Sequence, residues 1–127
     1  MVFKKARLGA GAGLFLLALL FGAAPLLSQW LGDRQASQQA RTLREQLRPG
    51  DLLMFSSDGC VYCAQARRWL EAEQLPYREC SIDRDAVCLR DFQARRGPGT
   101  PIFSLRGQTV VGFDRAALAA AALAGPR

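Results

Sequence analysis

Hydrophobic and polar positions divide the 127-residue chain into three stretches of different texture. Residues 8–27 are almost wholly apolar, and no charged side chain occurs between Arg7 and Asp33. Twenty such residues wound as a helix span about 30 Å, the thickness of a bilayer hydrocarbon core. Residues 33–48 are polar and rich in Gln, Arg and Ala, and Pro49-Gly50 ends them. From Asp51 onward, short apolar runs alternate with amphipathic ones.

That last stretch predicts seven elements. Residues 52–56 read as a buried strand. Residues 60–74 read as a helix, with Cys63, Ala66 and Leu70 on one side and Tyr62 and Trp69 beside them. Residues 76–82 form a second strand opened by a proline. Residues 85–96 form a helix whose Cys88, Leu89 and Phe92 share a face. Residues 97–101, Gly-Pro-Gly-Thr-Pro, are a loop. Strands at 102–105 and 109–112 flank a hairpin at Arg106-Gly107-Gln108. Asp114 caps a last helix, 115–123, made almost entirely of Ala and Leu. The order is βαβαββα, an α/β domain. Its first two strands are parallel across a right-handed helical crossover, and its last two pair antiparallel.

The apolar segment has two readings. A cleaved signal ends in a small-x-small site, and the best one here, Gly22-Ala23-Ala24, runs straight into Pro25. Residues 1–32 therefore read as an uncleaved, single-pass membrane anchor, with a removed signal sequence as the alternative. Trp30 falls where an interfacial aromatic sits. Lys4, Lys5 and Arg7 crowd the N-terminal flank, whereas Asp33 offsets Arg34 on the other. That bias keeps the N-terminus in the cytoplasm and sends the rest outward, for a bacterium into the periplasm from the inner membrane. Residues 33–50 read as a solvated helical stalk whose Leu43 and Leu47, spaced i, i+4, are available to a partner or to the domain. Residues 51–127 are the working domain.

Charge narrows the function. The formal charge is +6, yet the Arg residues are scattered and no aromatic-and-basic platform accompanies them, so nucleic acid is not an expected partner. The chain has no His, which removes His-based triads and His metal sites.

The chemistry lies in Cys60-Val61-Tyr62-Cys63. A strand feeds a helix there, with the first cysteine at the helix N-terminus. Unpaired N–H groups and the positive end of the dipole favour a thiolate at that place. The thiolate attacks disulfides, and a second thiol three residues on can resolve the mixed disulfide. Zinc would need a second closely spaced pair, and Cys80 and Cys88 are too far apart in sequence for a four-cysteine ribbon. Copper(I) on two thiolates is chemically allowed. A purely structural staple at Cys60–Cys63 would close so short a loop that it stabilises little. Cys80 and Cys88 fall on the second strand and the following helix. They admit three states: a second disulfide, two buried thiols, or a redox relay with the first pair.

The domain, from Asp51 to about Leu123, resembles a glutaredoxin within the thioredoxin fold. Cys60-Val61-Tyr62-Cys63 is similar to Cys-Pro-Tyr-Cys, and Gly99-Thr100-Pro101 stands where the family places its cis-proline loop. Val111-Gly112-Phe113-Asp114 resembles the turn before the family's last helix. Gly112-Phe113 is also similar to the glutaredoxin-like hydrogen donors of ribonucleotide reductase. Gly-Thr-Pro with Cys-x-Tyr-Cys is similar to periplasmic disulfide isomerases. The resemblance implies Cys60 as nucleophile and Cys63 as resolving thiol. It implies Pro101 in cis facing them, Thr100 offering its backbone to a substrate, and Tyr62 shaping the rim.

The departures fall on groups that hold glutathione. Ser57 stands where a Lys is usual, Gly99-Thr100-Pro101 replaces the family's Thr-Val-Pro, and Val111 replaces the first Gly of Gly-Gly. The expectation is a membrane-anchored thiol–disulfide oxidoreductase acting on protein thiols and disulfides, with a membrane or periplasmic redox partner. It needs no metal or organic cofactor and no obligate glutathione. A glutathione-dependent reductase is the alternative within the class. A redox-inactive tethering or copper- or zinc-binding module is the alternative outside it.

Overall fold

The computed structural model describes residues 10–125, with side chains from residue 25 onward. The chain falls into two compact units, Met1–Gln35 and Ala36–Arg127. Helix α1, Ala10–Gln46, runs through both, with Pro25 inside it. In the first unit the Ser28 hydroxyl donates to the Pro25 carbonyl at 2.9 Å, and the Arg34 guanidinium lies 3.5 Å over the Trp30 ring. Leu26, Leu27, Trp30 and Leu31 are exposed. Among the described residues no helix is long and apolar enough to cross a membrane. Most side chains of the apolar stretch 8–27, on which the anchor expectation rests, lie outside the described residues.

The second unit contains β1 (Leu52–Ser56), α2 (Val61–Ala72), β2 (Arg78–Ser81), α3 (Ala86–Ala94), β3 (Ile102–Leu105), β4 (Gln108–Val111) and α4 (Arg115–Ala124). The four strands form one sheet in the order β2-β1-β3-β4. β1 and β2 are parallel, while β3 runs antiparallel to both β1 and β4. Strand geometry alternates side chains between the two faces. Leu52 and Met54 therefore share one face with their partners Leu105 and Phe103, and with Val110 opposite Phe103. These five side chains are buried. Ala66 and Leu70 of α2 and Leu118, Ala119, Ala121 and Ala122 of α4 close over them. The small Ala side chains let α4 approach closely, which is what an Ala-Leu helix offers a flat sheet face.

Part of the expected stalk belongs to this core. Ala40 and Leu43 are 0% exposed and Leu47 is 7% exposed, and the two leucines pack with Leu52, Met54 and Leu118. The solvated reading of residues 33–50 is therefore corrected for its C-terminal half. An i, i+3, i+7 apolar stripe in a polar helix is a docking face, and burying two leucines contributes about 3–6 kcal/mol before entropy.

The opposite face is thinner. Phe55 and Cys80 are register partners on it. α3 covers them with the Phe92 ring, 6.3 Å from that of Phe55, and with Cys88. Leu89 departs from the expected shared face, with 37% of its surface exposed. Cys88 and Phe92 are one helical turn apart, whereas Leu89 is rotated about 100° from Cys88 toward water.

One residue joins the ends of several elements. Arg106 occupies the β3–β4 turn with φ 48°, followed by Gly107 at φ 86°. Positive φ at both turn positions matches the right-handed strand twist and disfavours a side-chain-bearing residue. Arg106 nevertheless donates from Nε and Nη2 to Asp51 Oδ2 at 3.0 and 2.8 Å, and from Nη1 to the Ala122 carbonyl at 3.4 Å. Nη2 also donates to the Gln46 carbonyl. The guanidinium thus satisfies carbonyls near the C-terminal ends of α1 and α4, where helices leave acceptors orphaned.

Candidate redox site

The site begins where β1 ends. Gly59, at φ 73°, turns the chain from Asp58 into Cys60 in a conformation that side chains with a Cβ rarely adopt. Cys60 then caps α2. Its backbone is extended (φ −74°, ψ 107°), its carbonyl accepts from Ala64 N–H at 3.1 Å, and its Sγ accepts from Cys63 N–H at 3.1 Å. The sulfur thus occupies the place of an N-cap oxygen, facing an otherwise unsatisfied donor. Negative charge on that sulfur is favoured by the same donor and by the helix dipole.

Cys60 and Cys63 are joined as a disulfide with Cα atoms 5.2 Å apart. Cys63 is 1% exposed and Cys60 is part-buried. Helical geometry separates the two thiols in this way. Cys63 lies on the inward stripe with Ala66 and Leu70, and Cys60 lies at the helix mouth. Val61 and Tyr62 point outward, 65% and 64% exposed.

The Gly99-Thr100-Pro101 loop faces this mouth. The Thr100–Pro101 bond is cis, Pro101 is buried, and the Thr100 carbonyl oxygen lies 3.5 Å from Cys60 Sγ. Pro101 in turn accepts from Gly112 N–H at 2.9 Å through its carbonyl, which ties the loop to the turn before α4. The structure therefore brings Cys60, Cys63, Thr100 and Pro101 together, with Tyr62 at the rim. The expected positions of Tyr62, Thr100 and Pro101 relative to the two cysteines rest on the resemblance alone.

Three contacts were not legible beforehand. The Ser57 and Thr100 hydroxyls lie 2.6 Å apart, so Ser57 buttresses the loop from the position of the absent Lys. Asp58 N–H donates to Asp83 Oδ2 at 2.6 Å, and Asp58 Oδ1 accepts from Arg84 Nη2 at 2.9 Å. Asp58 is thus exposed and neutralised rather than aimed at the sulfur. The only sequence signal for these partners was the charged run Asp83-Arg84-Asp85 directly after a strand.

Two clefts of about 390 Å³ each adjoin the site and share Ser57, Asp58, Arg67 and Arg84. One is bounded by Cys60 and Ala64. The other reaches Glu79 and Ser81 on β2. Arg67 donates to both carboxylate oxygens of Glu79, at 3.0 and 2.6 Å. That fork holds the Glu79 carboxyl below its usual range and raises the Arg67 guanidinium above its own. Cys80 and Cys88 are joined as a second disulfide, Cα atoms 5.4 Å apart, linking β2 to α3.

Comparison with known proteins agrees with this geometry. The glutaredoxin family model matches residues 52–109, from β1 through the start of β4. No curated protein matches the chain. Among solved structures, the thioredoxin-like protein BC3987 is similar with 20% identity and a TM-score of 0.51, over 55% of this chain and 97% of that one. A glutaredoxin from Archaeoglobus fulgidus shares 16% identity at a TM-score of 0.46, over 54% of this chain and 80% of its own. The holo form of glutaredoxin C1 from Populus tremula x tremuloides shares 21% identity at 0.44, over 72% and 95%. Residues 52–109 thus match the glutaredoxin family model, within a domain of thioredoxin-like fold.

Proposed function

We propose that the chain is a thiol–disulfide oxidoreductase that exchanges disulfides with other proteins through Cys60 and Cys63, held to a membrane by its N-terminal segment. One observation carries the reading. A part-exposed sulfur caps a helix, accepts an N–H at 3.1 Å, and is bonded to a second sulfur that is buried one turn inward.

In the reducing direction, the Cys60 thiolate attacks one sulfur of the substrate disulfide. A Cys60–substrate bond forms, the substrate disulfide breaks, and the first substrate sulfur leaves as a thiolate that takes a proton from water. Cys63 then loses its proton and attacks Cys60 Sγ. The Cys60–Cys63 bond forms and the second substrate thiolate departs. Two electrons pass from enzyme to substrate, and the reverse sequence oxidises a dithiol. Burial of Cys63 leaves attack on incoming substrate to Cys60. The Thr100 backbone and Tyr62 border the place where the substrate sulfur arrives.

Support for the anchor is the 20-residue apolar run 8–27, its cationic flank, the exposed Leu26 and Leu27 at its end, and the exposed Trp30 and Leu31 beyond it. Flanking charge favours the redox domain on the periplasmic side. Release of the chain from membranes by alkaline carbonate would sink this part alone.

The catalytic reading is tested by a redox titration of the purified chain in thiol/disulfide buffers, with alkylation mapped at each cysteine. A reversible Cys60–Cys63 couple is expected. Cys63→Ser should accumulate a mixed disulfide with a protein substrate, and Cys60→Ser should yield none. A chain without a reversible couple, or one that retains its partner with both thiols removed, is a tethering module instead.

A further inference from the structure

The second disulfide closes a loop that reaches the first. Between Cys80 and Cys88 lie residues 81–87, the last residue of β2, the 82–85 connection and the first two residues of α3. Two consecutive residues of that connection grip Asp58, two positions before Cys60. Asp83 accepts the Asp58 N–H, and Arg84 pairs with its carboxylate. Ile82 N–H donates to the Ser56 carbonyl at 2.9 Å, which fastens the same segment to the end of β1. Asp85 then caps α3 by accepting from Val87 and Cys88 N–H at 2.8 and 3.2 Å. Cys88 is the one buried residue of α3, and the half-buried Phe92 ring beside it packs on Phe55. The charged groups bordering Cys60 in its cleft are Asp58, Arg67 and Arg84, with Asp83 behind Asp58.

We propose that the Cys80–Cys88 disulfide fixes the 82–85 connection so that Asp83 and Arg84 act as positioning residues for Cys60, and that reduction of this disulfide slackens them. The inference rests on the thiol–disulfide reading of Cys60–Cys63. With the loop closed, Arg84 neutralises Asp58 and the Asp83 bond fixes the turn that aims Cys60 at Thr100. With the loop open, the Asp58 carboxylate loses its fixed partner and disfavours a thiolate two residues away.

Reduction would come from an external dithiol. Its thiolate attacks the Sγ of Cys80, the less buried residue of the pair, and displaces the Cys88 thiolate, which takes a proton. The donor's second thiolate then attacks the mixed disulfide and displaces the Cys80 thiolate. The donor leaves as a disulfide, and two electrons and two protons rest on Cys80 and Cys88.

The test compares the full wild-type chain with Cys80→Ser/Cys88→Ser and with Arg84→Met, which removes the partner of the Asp58 carboxylate. Backbone hydrogen exchange is read in the form with Cys60–Cys63 oxidised. The Cys60–Cys63 equilibrium is read by mass mapping in a dithiol buffer. Removing the second disulfide should speed exchange of the Asp58 amide at least tenfold and lower the equilibrium constant for reduction of Cys60–Cys63 about threefold, the size of a half-unit thiol shift. Arg84→Met, with the second disulfide intact, should give the same threefold change. The triple variant should add nothing to it, as expected for groups acting in one chain. An unchanged Cys60–Cys63 equilibrium in Cys80→Ser/Cys88→Ser, or a change there that Arg84→Met does not reproduce, overturns the proposal while leaving the oxidoreductase reading intact. Should the double serine variant fail to fold, an unchanged equilibrium in Arg84→Met overturns it alone. Absence of any reversible Cys60–Cys63 couple in wild type refutes the underlying reading instead.

Discussion

The Ser57 and Thr100 hydroxyls share a 2.6 Å hydrogen bond across the mouth of the redox site. It joins the end of β1 to the residue whose carbonyl oxygen lies nearest Cys60 Sγ. Ser57→Ala should cost about 1 kcal/mol of stability, the usual net worth of one such bond. It should also slow disulfide exchange more than that loss explains, because the Thr100 backbone is no longer held. Stopped-flow exchange with a protein disulfide, set beside urea denaturation, separates the two effects. An unchanged exchange rate would show that the Ser57 bond is only structural.

Arg106 makes the largest single polar commitment in the domain. Its side chain is 10% exposed and serves Asp51, Gln46 and Ala122 together. Arg106→Met keeps much of the volume but leaves Asp51 and two carbonyls without their donor. A loss of about 3 kcal/mol is expected, as when one partner of a largely buried pair is removed. The Cys60–Cys63 couple, at the opposite end of β3, should keep its potential. Urea midpoints and the redox titration check the two halves of this statement.

Leu43 should matter as much as a residue of the sheet. It is 0% exposed in the core formed with Leu52, Met54 and Leu118. Leu43→Ala is expected to cost 2–5 kcal/mol, the range for emptying a buried leucine site. A chain begun at residue 51 should be less stable again, having lost Ala40, Leu43, Leu47 and the Gln46 carbonyl. A chain begun at residue 36 should retain the stability of the domain. Thermal unfolding followed by circular dichroism ranks the three.

Acid sensitivity follows from two carboxylates. Arg48 N–H and the Arg106 guanidinium hold Asp51 below its ordinary 3.8. Arg67 holds Glu79 below its ordinary 4.5. In the window between each lowered value and the ordinary one, the unfolded chain binds more protons than the folded one, so stability rises with pH. The contribution is complete above the ordinary values and is lost as pH falls through the lowered ones. The urea midpoint should therefore drop below about pH 4, and Asp51→Asn should flatten that drop. A midpoint whose acid slope is the same in Asp51→Asn would mean that Asp51 carries no such linkage.

The antiparallel pairing of β1 with β3 is not legible in the sequence, whereas the order of elements in the domain, the parallel pairing of β1 with β2, the β3–β4 hairpin and both cysteine-bearing helices are. Each follows from local rules: period-2 or helical apolar spacing, Asp114 as a cap, and glycine and proline at the breaks. β1 and β3 occupy the predicted residues 52–56 and 102–105, because strands buried on both faces read as short, mainly apolar runs between breaks. The placement of Cys60 at a helix mouth and Cys63 inward follows from the same local geometry. Leu43 and Leu47 were ambiguous because two leucines in a polar helix do not say what covers them. Leu89 was assigned inward because sequence spacing alone does not fix the rotation of a short helix.

What the sequence alone determined is the chemistry on offer: two thiols a helical turn apart, no histidine, and an α/β frame to hold them. Only the tertiary structure decided who surrounds those thiols. Ser57 meets Thr100, Asp83 and Arg84 hold Asp58, and Arg106 reaches Asp51 and the Gln46 carbonyl, across separations of 25 to 60 residues. Polar side chains of this kind carry no periodic signal. Their partners are chosen by the distance and direction that the folded sheet imposes, and a hydrogen bond is sensitive to both.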